Sequence, residues 1–157
     1  MLRGIPVSQG VSRSRVVVLD RTRIDPAKWG ILESDPAAEK DRLQTSLVET
    51  RRQILAVQER LREALGTKEA QIFDAHLLVL EDPMLIEEAT RFIREDLVTA
   101  EFALHEASEK YAEALGKVDD SYLSERAADI RDVAQRVLAD LMGQAPCTGL
   151  ADLTEPC

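Results

Sequence analysis

Several residue types are scarce in this sequence, and each absence excludes a class of protein. The only two cysteines of the 157 residues are Cys147 and Cys157, which lack the spacing of a metal site. A cysteine-free main body fits a reducing cytoplasm rather than a disulfide-stabilised secreted domain. No apolar run approaches the roughly 18 residues that span a bilayer, and the start, MLRGIPVSQG, has no signal-peptide core. We therefore expect a cytoplasmic protein with no membrane partner.

Aromatic residues and positive charge are also in short supply. Aromatics make up 4% of the chain although 45% is hydrophobic, so the core must come from Leu, Ala, Val and Ile, which suits helix packing. The net charge is -9, and nucleic acids are bound through clustered Lys and Arg. The sequence therefore argues against a nucleic-acid partner and favours a basic one.

Groups that could carry chemistry are few. His76 and His105 are the only histidines, and neither has a glycine-rich segment beside it to cradle a phosphate. The spacing of Glu101 and His105 does not match that of a bundle di-metal site. The polar cluster SERAADIRD, residues 124–132, is typical of a solvated helix face with ion pairs one turn apart. The residues themselves indicate no catalytic group, no metal site and no cofactor in this chain.

The pattern along the chain predicts a mainly α protein. Residues 1–20 alternate and end in a Val-Val-Val-Leu run, which predicts a short N-terminal β-strand segment. From residue 35 the apolar spacing becomes helical and the links become short, which predicts an antiparallel helical bundle. We place the strand and connector in 1–34, the bundle in 35–143, and a connector to a missing remainder in 144–157.

Capping and breaking residues predict the ends of the helices. Such residues either hydrogen-bond the free N–H groups of a first turn or cannot continue a helix. The predicted boundary residues are Asp35 with Pro36, Gly66, Thr67, Asp82 with Pro83, Thr99, Asp119 with Asp120, and Gly143. One helix is thus expected from Thr67 to Pro83, and another from Met84 to about Asp96.

The helix that contains FDAHLLVLEDP, residues 73–83, is apolar over much of its circumference. Its residues form two neighbouring stripes, Ile72, His76 and Val79 on one and Phe73, Leu77 and Leu80 on the other, with Leu78 on neither. One stripe is enough to dock the helix into a bundle, and the other either packs on another helix or lies exposed for a partner. Periodicity alone leaves both readings open.

Several segments of the chain resemble Enzyme I of the bacterial phosphoenolpyruvate-dependent sugar phosphotransferase system. The segment GIPVSQGVSRSRVVVLD is similar to its N-terminal strand, with Gln9 where the family commonly has proline. The segments IFDAHLLVLEDP, VTAEFALHEASEKYA and YLSERAADIRDVAQRVL resemble its helical part, in the same order and at similar spacing. The resemblance covers essentially the whole chain.

This resemblance implies a fold and a function. In Enzyme I, a helical bundle inserted into a phosphohistidine α/β domain binds the carrier protein HPr. The phosphorylated histidine lies in a motif like GGRTSHTAI, which this chain lacks. The resemblance therefore implies an inactive N-terminal fragment of a phosphotransferase, in which His76 and His105 are not phosphorylated. Magnesium and homodimerisation are expected only in the full-length protein, through an absent C-terminal domain.

The resemblance also implies where HPr binds. The surface would have an apolar centre that includes Val79 and Leu85, with acidic neighbours, and the stripe of Ile72, His76 and Val79 would face the partner. The matching positions are Glu69, Ile72, His76, Val79, Asp82, Leu85, Leu115, Asp119, Tyr122 and Arg126. Two alternatives stay open, a nitrogen-related or multidomain paralogue with a regulatory role, and a purely structural helical oligomerisation module.

Overall fold

The computed structural model describes residues 24–28, 30, 31, 35–117 and 120–143, apart from the side chains of Glu69, Ser121 and Tyr122. All of these fall within one compact unit, Arg23–Pro146. The strand predicted within 1–20 and the connector predicted for 144–157 lie outside the described residues. The described helices are α1 (Pro36–Leu65), α2 (Thr67–Ala70), α3 (Ile72–Leu80), α4 (Pro83–Glu95), α5 (Ala100–Gly116) and α6 (Ser121–Leu141).

The long helix α1 begins and ends close to its predicted boundary residues. Pro36 occupies its first turn, and Gly66 follows it with φ 114°, a conformation open to glycine. Asp35 precedes Pro36 as predicted, but its side chain makes no capping hydrogen bond. Leu43 and Ile54 are buried on its inner face, whereas Leu65, its last residue, is 65% exposed.

The helix predicted from Thr67 is divided in two. Thr67 is the first residue of α2 rather than its cap, and the short helix stops at Ala70. The N–H of Asp74 donates to the carbonyl of Gln71 at 3.0 Å, a bond of the tighter three-residue kind. The chain therefore tightens at Gln71 and continues as α3.

The starts of α4 and α6 confirm two predicted caps. The side chain of Asp82 accepts a hydrogen bond from the N–H of Met84 at 2.8 Å, and Pro83 occupies the first turn of α4. Asp120 accepts one from the N–H of Leu123 at 3.3 Å. Short polar signals in the sequence therefore fix where these helices begin.

The start of α5 is capped differently from the prediction. Thr99 is the capping residue by position, but its side chain makes no capping hydrogen bond. The N–H of Ala100 instead donates to Oε2 of Glu39, on α1, at 2.8 Å. The cap therefore comes from a distant helix, which no local pattern could indicate.

The helices enclose one apolar core, and the prediction of a mainly α bundle is confirmed. Helix α5 packs chiefly on α6 and α4, and α1 lies against α3, α4, α5 and α6. The core is built almost entirely of Leu, Ile, Val and Ala, as the scarcity of aromatics predicts. In the part of the chain that the structure describes, no helix is both long and apolar enough to cross a bilayer.

A short segment before α1, which we call the strap, consists of residues 24–28, 30 and 31. Gly30 forms an isolated antiparallel bridge with Val98, in the turn between α4 and α5. The N–H of Ile31 donates to the carbonyl of Leu97 at 2.7 Å. Leu97 has φ 50°, the left-handed conformation that reverses the chain here. The strap therefore lies against the helices.

Candidate partner-docking site

A groove opens between the α3–α4 turn, α5 and α6, and its volume is about 360 Å³. Its lining is mostly apolar, with one carboxylate, one phenol and one guanidinium. We call this surface the docking groove, and it is lined by Leu78, Val79, Asp82, Leu85, Tyr111, Leu115, Leu123, Arg126 and Ile130. A concave apolar surface with a few polar groups is the usual form of a binding site.

The α3–α4 turn places the carboxylate of the docking groove. The N–H of Glu81 donates to the carbonyl of Leu77 at 3.0 Å, and the N–H of Asp82 to that of Val79 at 3.2 Å, which closes α3. Asp82 then caps α4 through its side chain. Because both backbone and side chain of Asp82 are bonded, its carboxylate is held in one position beside the apolar lining.

Five of the ten predicted site residues line the docking groove. These are Val79, Asp82, Leu85, Leu115 and Arg126. They come from α3, the α3–α4 turn, α4, α5 and α6, so the fold brings together residues that are up to 47 positions apart, from Val79 to Arg126. The side chains of Glu69 and Tyr122, and the whole of Asp119, lie outside the described residues.

The burial of α3 corrects the predicted orientation of its two stripes. Val79, predicted to face a partner, is 5% exposed, whereas Ile72 is 65% and Leu78 59% exposed. Leu80 is buried as predicted. Helix α3 packs on both α1 and α6, so the arc that faces the core is wider than one stripe and includes Val79.

Leu85 is also buried, at 5% exposure. The predicted apolar centre, Val79 and Leu85, is thus the floor of the docking groove and part of the core. The exposed apolar side chains next to it are Leu78 of α3 and Met84 of α4, each 59% exposed. A partner would therefore meet Leu78 and Met84 first.

His76 and Ile72 are predicted site residues that do not line the docking groove. The His76 side chain is 12% exposed, and its Nε2 lies 3.7 Å from Oδ1 of Asp129 on α6. The ring of Phe73 meets it edge-on, with 5.7 Å between the ring centroids. His76 thus lies between α3 and α6, near Asp129 and away from the docking groove, although the resemblance implies that it contacts a partner.

Sequence reasoning missed four of the groove residues. Leu78 belongs to neither predicted stripe, and Tyr111, Leu123 and Ile130 are not among the positions implied by the resemblance. The spacing could have indicated them, since Leu78 lies four residues before Asp82 and Tyr111 four before Leu115. Leu123, Arg126 and Ile130 follow the same helical spacing on α6.

The electrostatic environment of the docking groove is negative near Tyr111. Burial of the phenol raises the pKa of Tyr111 above its usual value, and the carboxylates of Asp82 and Glu88 raise this pKa further. Negative charge next to Tyr111 disfavours its anionic form, as it would disfavour any anion there. The ammonium of Lys110 partly offsets this effect by lowering the pKa of Tyr111.

Among the described residues, no three His, Cys, Asp or Glu side chains are placed to hold a metal ion. His105 lies on α5 with its Nε2 3.7 Å from Oδ1 of Asp25 in the strap. The two histidines do not share a site, since one lies against α6 and the other against the strap.

Comparison with known proteins identifies the family. Residues 3–126 match the family model described as PEP-utilising enzyme, N-terminal. The chain belongs to this family. The match includes α1 to α5, the first turns of α6, and every predicted site residue. The resemblance to Enzyme I noted from the motifs is thereby confirmed.

Several relatives of this chain are named phosphoenolpyruvate-protein phosphotransferase. The protein from Enterococcus faecalis is 39% identical over 91% of the chain, and that from Bacillus subtilis 37% identical over 90%. The chain spans about a quarter of the length of these curated relatives, 25% of each.

Solved structures show the same fold. An NMR solution structure of an Enzyme I protein is 33% identical, with a TM-score of 0.76 over 85% of this chain and 54% of that chain. The N-terminal domain of the nitrogen Enzyme 1 is 31% identical, with a TM-score of 0.67 over 75% of this chain and 48% of that chain. The fold of this chain thus agrees with that of two solved Enzyme I structures, one of them of the nitrogen type.

Proposed function

We propose that this PEP-utilising enzyme N-terminal region docks the phosphocarrier protein HPr, or its nitrogen-related counterpart, for phosphoryl transfer from phosphoenolpyruvate in sugar uptake. The observation that carries the proposal is the docking groove, which gathers five of the residues that the resemblance to Enzyme I implies as contacts. Its apolar lining with Asp82 and Arg126 beside it matches the apolar centre and polar surroundings of a protein interface.

Charge supports the same assignment. The negative potential around Asp82 and Tyr111 and the net charge of -9 favour a partner with a basic face. Apolar contacts with Leu78 and Met84 would supply affinity, and the methionine side chain can adapt its shape to a partner. Association should therefore be fast at low salt and slower when salt screens the charges.

The phosphotransferase activity belongs, in this proposal, to the full-length protein. The full-length protein would be a homodimer that uses magnesium and carries its phosphohistidine outside this chain. The chain alone would bind HPr but would not transfer a phosphoryl group. The whole protein acts in the cytoplasm, where its phosphorylated partners work.

A titration tests the docking assignment. The isotope-labelled chain is mixed with unphosphorylated HPr, and the amide shifts are followed by NMR at low and at high salt. We expect the largest shifts in α3, the α3–α4 turn and the facing parts of α5 and α6, and weaker binding at high salt. Shifts confined to other surfaces would show that the docking groove is not the site.

A comparison of the two carrier proteins distinguishes the sugar branch of Enzyme I from the nitrogen branch. The same titration with the nitrogen-related counterpart of HPr tells which partner binds more tightly, and tighter binding of that counterpart would assign the chain to the nitrogen branch. An oligomerisation module would behave differently, because its NMR linewidths would depend on its own concentration rather than on HPr.

A further inference from the structure

Gln135 of α6 binds the backbone of the strap with both ends of its carboxamide. Its Oε1 accepts a hydrogen bond from the N–H of Ile24 at 2.7 Å, and its Nε2 donates to the carbonyl of Ile24 at 2.9 Å. A primary amide offers the donor and acceptor of a peptide group. Gln135 therefore pairs with both the N–H and the carbonyl of Ile24, as the backbone of a neighbouring β-strand would.

The middle of the strap is attached to α5 by charged groups. Asp25 approaches His105, with 3.7 Å between its Oδ1 and Nε2 of the imidazole. The ammonium of Lys28 lies 5.5 Å from the centre of the Phe102 ring, within cation–π range. These contacts are individually weak, because Asp25 and Lys28 are exposed to solvent.

The two ends of the strap are held most firmly. Ile31 is bonded to Leu97, and both Ile24 and Ile31 pack on the hydrophobic core. At the start of the strap, the only described hydrogen bonds of Ile24 are those to Gln135. Gln135 is thus the side chain that fixes the point at which the chain enters the helical unit, whose boundary is at Arg23.

Helix α6 connects this point with the docking groove. Arg126 and Ile130 line the groove from α6, and Gln135 lies about 13 Å along the helix from Arg126 at the usual helical rise. A continuous helix is stiff over this distance. A partner in the docking groove is therefore held at a set distance from Ile24 as long as the bonds of Gln135 persist.

We propose that Gln135 is a positioning residue for phosphoryl transfer. By holding Ile24 against α6, it fixes the offset between a docked carrier protein and Ile24, the first described residue of the helical unit. This inference rests on the proposed function, since it requires a carrier in the docking groove. It assigns to Gln135 no contact with the carrier and no part in the chemistry itself.

Kinetics of the full-length protein test this role. Gln135→Met removes both hydrogen bonds at nearly constant side-chain size, and Gln135→Glu keeps only the acceptor. Gln53→Met is the matched control, because Gln53 also forms two hydrogen bonds through its amide, with Nε2 3.2 Å from Glu49 and 3.3 Å from Asp140, but it links α1 to α6 and does not contact the strap. Binding of HPr is measured by calorimetry and transfer from phosphoenolpyruvate by rapid quench. Circular dichroism checks that each variant is folded.

We expect Gln135→Met to lower the transfer rate within the complex by about tenfold, as a small misplacement does. Its Kd for HPr should stay within about twofold of the wild type, because binding is local to the docking groove. Gln135→Glu should give at least as large a loss, because its second carboxylate oxygen would face the carbonyl of Ile24, and Gln53→Met should change neither quantity.

Three outcomes would overturn the positioning role. The first is an unchanged transfer rate in Gln135→Met, the second is an equal fall in affinity and rate, and the third is an equal loss in Gln53→Met. Failure of the wild-type protein to bind HPr would be a separate result. It would remove the proposed function and this inference together, before any variant is compared.

Discussion

Glu39 on α1 accepts a hydrogen bond from the backbone N–H of Ala100, the first residue of α5, at 2.8 Å. Ala100 is fully buried, so water cannot replace this acceptor. The carboxylate also lies at the positive end of the α5 dipole and is held by Arg42 at 2.8 Å. One side chain therefore ties the first turn of α1 to the start of a helix that begins 61 residues later.

Removal of this cap should destabilise the chain. Glu39→Ala leaves the buried N–H of Ala100 without a partner, so we expect the free energy of unfolding to fall by about 1–2 kcal/mol. Glu59→Ala is the control, because Glu59 also pairs with an arginine one turn away, Arg62, but is exposed and caps no helix. Urea unfolding followed by circular dichroism compares the two. Equal losses would show that the cap contributes nothing beyond a surface ion pair.

This cap marks the limit of prediction from the sequence. Asp82, Pro83, Gly66 and Asp120 act within one turn of the helix end that they define, so a sequence pattern can identify them. The backbone N–H of Ala100, at the start of α5, donates to a side chain of another helix. This pairing depends on tertiary packing, which no local sequence pattern indicates. Thr99 has the right residue type at the right position, but its side chain makes no capping bond.

Leu78 and Val79 are neighbours with opposite surroundings, and their variants should separate binding from stability. Leu78→Asp alters an exposed side chain of the docking groove, so the chain should stay folded and bind HPr about tenfold more weakly. Val79→Asp places a carboxylate in the core, and we expect a loss of about 3 kcal/mol or more in the free energy of unfolding. Circular dichroism and calorimetry measure the two effects.

Val48 provides the control for the binding effect. It is 64% exposed, close to the 59% of Leu78, but it lies on α1 outside the docking groove. Val48→Asp should therefore leave the Kd for HPr unchanged. If Val48→Asp and Leu78→Asp weaken binding equally, the effect is one of net charge and the docking groove is not specifically involved.

The sequence indicates several residues of the candidate site, but it does not indicate how their side chains are arranged. The positions of Asp82 and Arg126 follow from motifs, and both line the docking groove. Periodicity could not tell whether Val79 or Leu78 faces outwards, because α3 contacts two helices and its buried arc depends on how they cross. The position of His76 against Asp129 depends on the same crossing.

Glu88 links α4 to α5, and its pKa predicts how stability changes in acid. Hydrogen bonds from Arg91 and then from Lys110, at 2.7 and 2.5 Å, lower the pKa of Glu88 from 4.5 to about 2. A lowered pKa in the folded state means that the ionised carboxylate stabilises the fold above about pH 4.5. This contribution is lost as the pH falls from 4.5 towards 2.

The side-chain carboxyl carbon of Glu88 reports this titration by NMR. We expect a midpoint near pH 2, and the stability difference between wild type and Glu88→Gln should shrink between pH 4.5 and 2. Arg91→Leu should raise the midpoint more than Lys110→Leu, because Arg91 provides the larger effect. A midpoint near 4.5 in the wild type would contradict the hydrogen bonds of Glu88 with both Arg91 and Lys110.

Two glycines at helix ends should respond oppositely to the same substitution. Gly66 follows α1 with φ 114° and ψ 173°, a region open almost only to glycine, so Gly66→Ala should lower the free energy of unfolding by about 1–3 kcal/mol. Gly116 is the last residue of α5, and an added Cβ there would meet nothing within 4 Å. Gly116→Ala should therefore raise the free energy of unfolding by about 0.4–1 kcal/mol, because it restricts the unfolded chain.

Urea unfolding of both variants tests why the chain needs glycine at position 66. The reason is either the backbone conformation at this position or a lack of room for a side chain. The N–H of Gly66 closes the last turn of α1 by donating to the carbonyl of Arg62 at 3.1 Å, a bond that alanine could also make. Hence any loss in Gly66→Ala arises from the positive φ rather than from a missing bond. Stabilisation by both substitutions would show that α1 can end in another conformation, and that Gly66 is not required for the turn into α2.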